Sequence, residues 1–185
     1  MIEDALLEAE EKMDKAVEVA KDNFAGIRTG RVNPGLFSKV TVDYYGAPTP
    51  LQQLASFATP EARTLLITPF DKGSMGAIEA ALRDSDIGAN PSNDGQVIRI
   101  VMPELTAERR REYIKLAHTQ GEDAKVSIRH VRRAAKDTID KLVKDGEVGE
   151  DDGNRGEKEL DALTKRYTET VDSLLKSKEA ELSEV

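Results

Sequence analysis

The chain has 185 residues, a net charge of -8, 34% charged and only 4% aromatic residues, and neither Trp nor Cys. Disulfides and thiolate metal sites are therefore excluded, and long amphipathic helices suit this composition better than a large globular core. No apolar run approaches the roughly 18–20 residues needed to span a membrane, and the acidic opening MIEDALLEAEEKMDK matches neither a secretory signal nor a transit peptide. A soluble, untargeted, cytoplasmic monomer is the expectation.

Residues 2–29 predict a first helix. Ile2, Leu6, Ala9, Met13, Ala16, Ala20, Phe24 and Ile27 keep an apolar seam, and Gly30 suits a helix C-terminus because glycine accepts the left-handed conformation. Arg28, in the last turn, complements the helix dipole. Arg31-Val32-Asn33-Pro34-Gly35 breaks the pattern. Residues 39–45 (KVTVDYY) alternate as a half-buried strand with Val40, Val42 and Tyr44 on one face. Gly46 to Pro50 reads as a turn, 51–57 as a second strand, and 64–68 (TLLIT) as a third. Residues 74–83 have helical spacing, 86–93 read as loop, and 96–101 (QVIRIV) as a strand ended by Pro103.

A long basic helix follows, from Leu105 to Lys144, with Thr106 as its N-cap. Its seam runs through Ile114, Ala117, Gly121, Ala124, Ile128, Val131, Ala135, Thr138 and Leu142. The Asp145–Gly149 connection is tight. A last helix, from about 150 to 182, uses Leu160, Leu163, Tyr167, Val171, Leu174 and Leu182. Three long helices with matching seams predict an antiparallel three-helix bundle, residues 1–30 and 105–185. Residues 31–104 then form a small inserted β/α/β domain. The fold class is α+β, mainly α, elongated. The two crossings, at Gly30-Arg31 and at Met102-Pro103-Glu104-Leu105, are expected to act as a hinge.

The charge is unevenly placed. Residues 1–30, 31–105, 106–144 and 145–185 carry -4, -2, +5 and -7. Lys125, Arg129, Arg132 and Lys136 fall within about 60° of one another on a helical wheel, with Arg133 beside them. Guanidinium forks match phosphate oxygens, so such a row fits nucleic-acid backbone. It fits equally a solvated face, salt bridges to acidic neighbours, or a bundle that docks an acidic protein partner. No aromatic residues interleave with the arginines, which argues against a stacking platform for single strands.

Catalytic signatures are absent. There is no phosphate-binding G-x-x-x-x-G-K-[ST] loop and no G-x-S-x-G elbow. His118 and His130, twelve residues apart, lack ligand-pair spacing. The acidic group Glu147, Glu150, Asp151 and Asp152 lacks the alternation of a calcium loop. No enzymatic activity, metal or cofactor is expected.

Lys12-Met13, Ile27-Arg28-Thr29-Gly30-Arg31 with Pro34, Tyr44-Tyr45-Gly46 with Pro48-Thr49-Pro50-Leu51, and Gln53-Leu54-Ala55 form a recurring set. Ser85 to Gly88 with Asn90-Pro91, Leu105-Thr106 with Glu108-Arg109-Arg110, and Val126-Ser127-Ile128-Arg129-His130-Val131-Arg132-Arg133 complete it. On these motifs the sequence resembles the bacterial ribosome recycling factor family over essentially its whole length. The resemblance implies an L-shaped two-domain fold. It implies a helical bundle lying on large-subunit rRNA across the A and P sites after termination. Elongation factor G and GTP would then drive subunit separation, with GTP belonging to that partner. Arg129 and Arg132 would contact rRNA phosphates, Arg133 and Lys125 would assist, and Arg28 would lie near the same surface. His130 departs from the family, which commonly has Asn there; it would add a pH-dependent charge beside the strip.

Overall fold

The computed structural model describes residues 1–32, 34–85 and 87–184. Among these the helices are α1 (Ile2–Ala25), α2 (Met75–Asp84), α3 (Ala107–Lys144) and α4 (Glu150–Ser183). The strands are β1 (Thr41–Tyr44), β2 (Ala47–Pro50), β3 (Ala55–Glu61), β4 (Thr64–Pro69), β5 (Pro91–Asn93) and β6 (Ile98–Val101). The chain is mainly helical with a small β-rich part, the α+β class expected. It divides into two compact units, Met1–Phe24 with Ile114–Val185, and Ala25–Tyr113.

The first unit is three packed helices. α3 has 38 residues, about 57 Å of helix at 1.5 Å per residue. Thr106 caps it as expected, its Oγ1 accepting the Arg109 amide at 3.1 Å. The Asp145–Gly149 turn, with Gly146 at φ +73°, sends α4 back along α3. Residues then pair as mirror images about that turn: Lys125 with Asp172, Arg132 with Asp161, Lys136 with Glu157. α1 runs parallel to α4, since Ile2 lies by Gly156 and Glu10 meets Arg166 at 2.8 Å.

Small residues let these helices approach. A Cβ at Gly156 would stand 2.8 Å from Ile2 Cγ2, and one at Gly121 would stand 3.3 Å from Leu175 Cδ2. The buried line comprises Met13, Val17, Ala20 and Phe24 on α1, Ala117, Gly121, Ala124, Ile128, Ala135 and Ile139 on α3, and Leu160, Val171 and Leu182 on α4. Two expectations fail here. Thr138 is exposed and donates to the Ala134 carbonyl; Ile139 takes the buried place beside Gly153 and Gly156, where the α4 backbone comes close. Lys178, absent from the expected α4 seam, is 4% exposed and reaches Glu181 at 3.3 Å. Its long apolar stem fills the seam while the ammonium reaches a solvent-exposed carboxylate.

The second unit holds two antiparallel sheets, β1-β2 and β3-β4-β6-β5. α2 packs against them over a core that includes Phe37, Val42, Leu51, Leu65, Ile67, Ile78, Leu82, Ile98 and Ile100. Several boundaries differ from expectation. α1 ends at Ala25, so Gly30 is not its cap, although Gly30 does take φ +80°. Ala47–Pro50 is a strand, not a turn. The turn is only Tyr45-Gly46, both at positive φ, the geometry of a two-residue hairpin. Its prolines are tolerated because β2 is an edge strand paired with β1 alone. Leu51–Gln53 forms a 3-10 turn before β3. Pro91–Asn93, inside the expected loop, pairs with β6. Gln96 and Val97 do not start β6; their amides donate to Asp94 Oδ1 in the turn before it. Asn33 and Asp86, in the expected break and loop, lie outside the described residues.

Candidate nucleic-acid interface

The cation row of α3 forms one side of the α3–α4 hairpin, and each member has a different setting. Lys125, with its side chain 18% exposed, donates to Asp172 at 2.6 Å and lies 3.5 Å from Glu122. The Asp172 hydrogen bond holds the Lys125 ammonium above its usual pKa, against desolvation. Arg132 places Nε at 2.7 Å and Nη2 at 2.6 Å from the same oxygen, Asp161 Oδ1. Lys136 bridges Asp140 at 2.8 Å and Glu157 at 3.9 Å; Asp140 first, then Glu157, raises its pKa. Arg129 meets Glu122 at 3.6 Å and is well exposed. Arg133 is exposed, with no ion pair among the described residues.

The salt-bridge reading is thus realised for most of the row. The row is a line of guanidinium and ammonium groups, and carboxylates engage most of it. Asp161, Asp172 and Glu157 on α4 were not singled out in sequence. The signal was there: they sit at spacings of four and eleven on α4, one helical face, and a tight hairpin turn aligns that face with its mirror on α3.

Arg28 belongs to the second unit, half-buried, with its guanidinium against Gly88, which turns at φ +78°. Arg28, Gly30, Met102, Pro103, Glu104 and Leu105 share a cavity of about 280 Å³ in that unit with Tyr113 and Arg109. Both chain crossings are tied to one hairpin turn. Val32 donates to the Ala62 carbonyl and Met102 to the Arg63 carbonyl, each at 2.8 Å, and Arg63 pairs with Glu104 at 3.8 Å. The Arg31 amide reaches Thr29 Oγ1 at 3.3 Å.

The histidines sit apart. His118 Nε2 contacts Glu179 across α3 and α4. His130 lines a groove of about 280 Å³ between α1 and α3 with Glu8 and Lys12, whereas the inter-helix partners of the cation row are on α4. At the hairpin turn, Asp152 pairs with Arg155, and among the described residues no three His, Asp or Glu side chains gather to hold a metal ion.

Fold and site together describe a helical bundle that carries a guanidinium strip, joined to a small β-rich unit. The comparisons with known proteins place it further. A family model described as ribosome recycling factor matches residues 20–182. The ribosome-recycling factor of Renibacterium salmoninarum is 72% identical over all 185 residues of both chains. That of Streptomyces coelicolor is 67% identical, again over both full lengths. A solution structure of a ribosome recycling factor superposes with TM-score 0.84 at 39% identity, covering 100% of this chain and 98% of that one. A second match, TM-score 0.72 at 40% identity and 98% coverage of each chain, comes from models for the T. thermophilus factor and E. coli elongation factor G on the E. coli post-termination complex. The chain belongs to the ribosome recycling factor family.

Proposed function

We propose that this chain is a cytoplasmic translation factor, not an enzyme, that recycles ribosomes after termination. Its helical unit binds large-subunit rRNA across the A and P sites. Elongation factor G, hydrolysing GTP, then separates the subunits and releases mRNA and tRNA. The observation that carries this reading is full-length kinship with a factor described together with elongation factor G on a post-termination complex.

The α3 strip supports the rRNA contact. Arg129 and Arg133 are exposed, Arg132 is one-third exposed, and all three lie on one helix of a packed three-helix unit. Guanidinium groups held this way engage phosphates with little ordering cost. Lys125, partly covered and bonded to Asp172, sits at one end of the strip. Arg28, its guanidinium against Gly88 in the second unit, is assigned to the same rRNA-binding set on the family's motif.

Co-sedimentation with ribosomes tests the contact. Arg132→Ala combined with Arg133→Ala is expected to weaken binding at least tenfold, with each lost phosphate contact also flattening the salt dependence. Unchanged affinity in that variant would remove the strip from the interface.

A further inference from the structure

The cation strip faces a matched line of carboxylates. Lys125, Arg129, Arg132 and Lys136 are each within 4.0 Å of at least one of Glu122, Asp140, Glu157, Asp161 and Asp172. With Arg133 counted, the strip holds five cations and five carboxylates, so its local formal charge is zero. A phosphate that binds Arg132 or Lys125 meets a side chain that already has an anionic partner. That partner cannot move far, because it is fixed to the neighbouring helix.

The geometry at Arg132 shows how the anions share the site. Asp161 Oδ1 accepts from both Nε and Nη2, which occupies one edge of the guanidinium. A guanidinium has five N–H donors. The edge formed by Nη1 and Nη2 remains to meet a second anion. Asp161 thus orients the group and at the same time places a negative charge beside any phosphate that approaches it.

We propose that rRNA phosphates bind the α3 strip by competing with the α4 carboxylates Asp161 and Asp172, which set the affinity below what the cations alone would give. This rests on the rRNA reading of the strip above. Two consequences follow from the exchange. Removing the carboxylate charge while keeping the acceptor oxygen should tighten binding, because the guanidinium stays oriented and the repulsion is gone. The salt dependence should also change. For a plain cation strip, affinity falls with salt by a slope set by the number of phosphates neutralised. Here the salt that weakens phosphate attraction also weakens the internal pairs that share the same cations, so the slope is shallower than the phosphate count.

The test is ribosome affinity against salt for the full-length chain and four variants. Asp161→Asn with Asp172→Asn keeps both acceptors and removes both charges. Glu159→Gln removes one charge from α4 on its α1-facing side, where Glu159 lines the groove with Ile2 and Leu6. Arg132→Ala and Arg132→Ala with Asp161→Asn complete the set.

The double Asn variant is expected to bind on the order of three- to tenfold tighter at low salt, with a steeper slope, while Glu159→Gln stays close to the parent. In the Arg132→Ala background, Asp161→Asn should recover little. An unchanged affinity and slope in the double Asn variant would overturn the exchange. So would a gain from Glu159→Gln of half that size in log affinity, the share of one charge in two, which would mean that net charge alone acts. If Arg132→Ala itself bound like the parent, the rRNA reading beneath the exchange would be the part that fails.

Discussion

Arg132 and Asp161 meet through a single carboxylate oxygen, with both guanidinium donors within 2.7 Å of it. Their side chains are 33% and 51% exposed, so water screens the pair. Exposed pairs of this kind contribute about 0–1 kcal/mol to stability. Arg132→Ala should therefore lower the melting temperature by no more than about 3 °C, while ribosome affinity falls clearly. Thermal melting followed by circular dichroism, beside co-sedimentation, separates the two. A large loss of helicity would make Arg132 a structural residue.

Gly153 tests how closely α3 and α4 approach. A Cβ there would stand 2.5 Å from Val143 Cγ2, and valine has one strongly preferred helical rotamer. Alanine gains about 1 kcal/mol of helix propensity, but overpacking costs about 1–3 kcal/mol. Gly153→Ala should be net destabilising, by roughly 1 kcal/mol. Val143→Ala in that background should recover most of the loss, a non-additivity that a double-mutant cycle in urea would read. Additive effects would show that the helices are not in tight contact at this level.

Asp94 gives the second unit an acid-sensitive turn. Amides of Val97 and then Gln96 donate to Oδ1 at 2.9 Å and hold its carboxyl below the usual value. A group with a lowered folded pKa contributes stability above its unfolded value, near 3.9, and loses it as pH falls through the folded value. Asp94→Ala should therefore be less stable than the parent at pH 7, with the gap narrowing as pH falls below the unfolded value and through the lower folded one. A gap of constant size across that range would mean the charge is not what the turn uses.

Tyr45 is a non-glycine residue at φ +50° and is 86% exposed. Asparagine before glycine is the favoured sequence for such a turn. Tyr45→Asn should stabilise the chain by about 0.5–1 kcal/mol, less whatever the edge-on contact with Tyr44 supplies. Equilibrium unfolding of the two chains would show it, and a loss of stability would mean that the ring contact outweighs the backbone strain.

Helices were legible because each repeats an apolar residue every three or four positions over many turns, so α3 and α4 were placed within two residues. Thr106 as cap followed from one side chain and one amide. Strand ends were harder. Pro48 and Pro50 read as punctuation, yet an edge strand leaves room for residues that cannot donate. Pro91–Asn93 is a strand only because β6 lies beside it, and no local pattern reports that. Lys178 looked polar, and only three-dimensional packing shows its stem in the seam. The site was half legible. The cations stood out by charge contrast, but their α4 partners appear only when the hairpin turn aligns two sequences running in opposite directions.

On the proposed function, this chain takes apart post-termination ribosomes together with elongation factor G and GTP. A splitting assay tests it most directly. Ribosomes carrying mRNA and deacylated tRNA are mixed with elongation factor G and GTP, with and without the chain, and subunit separation is followed by light scattering. Rapid dissociation only when chain, elongation factor G and GTP are all present is the predicted result, with the Arg132→Ala chain slower at equal concentration. Intact ribosomes in the complete mixture, or GTP hydrolysis by the purified chain alone, would contradict it.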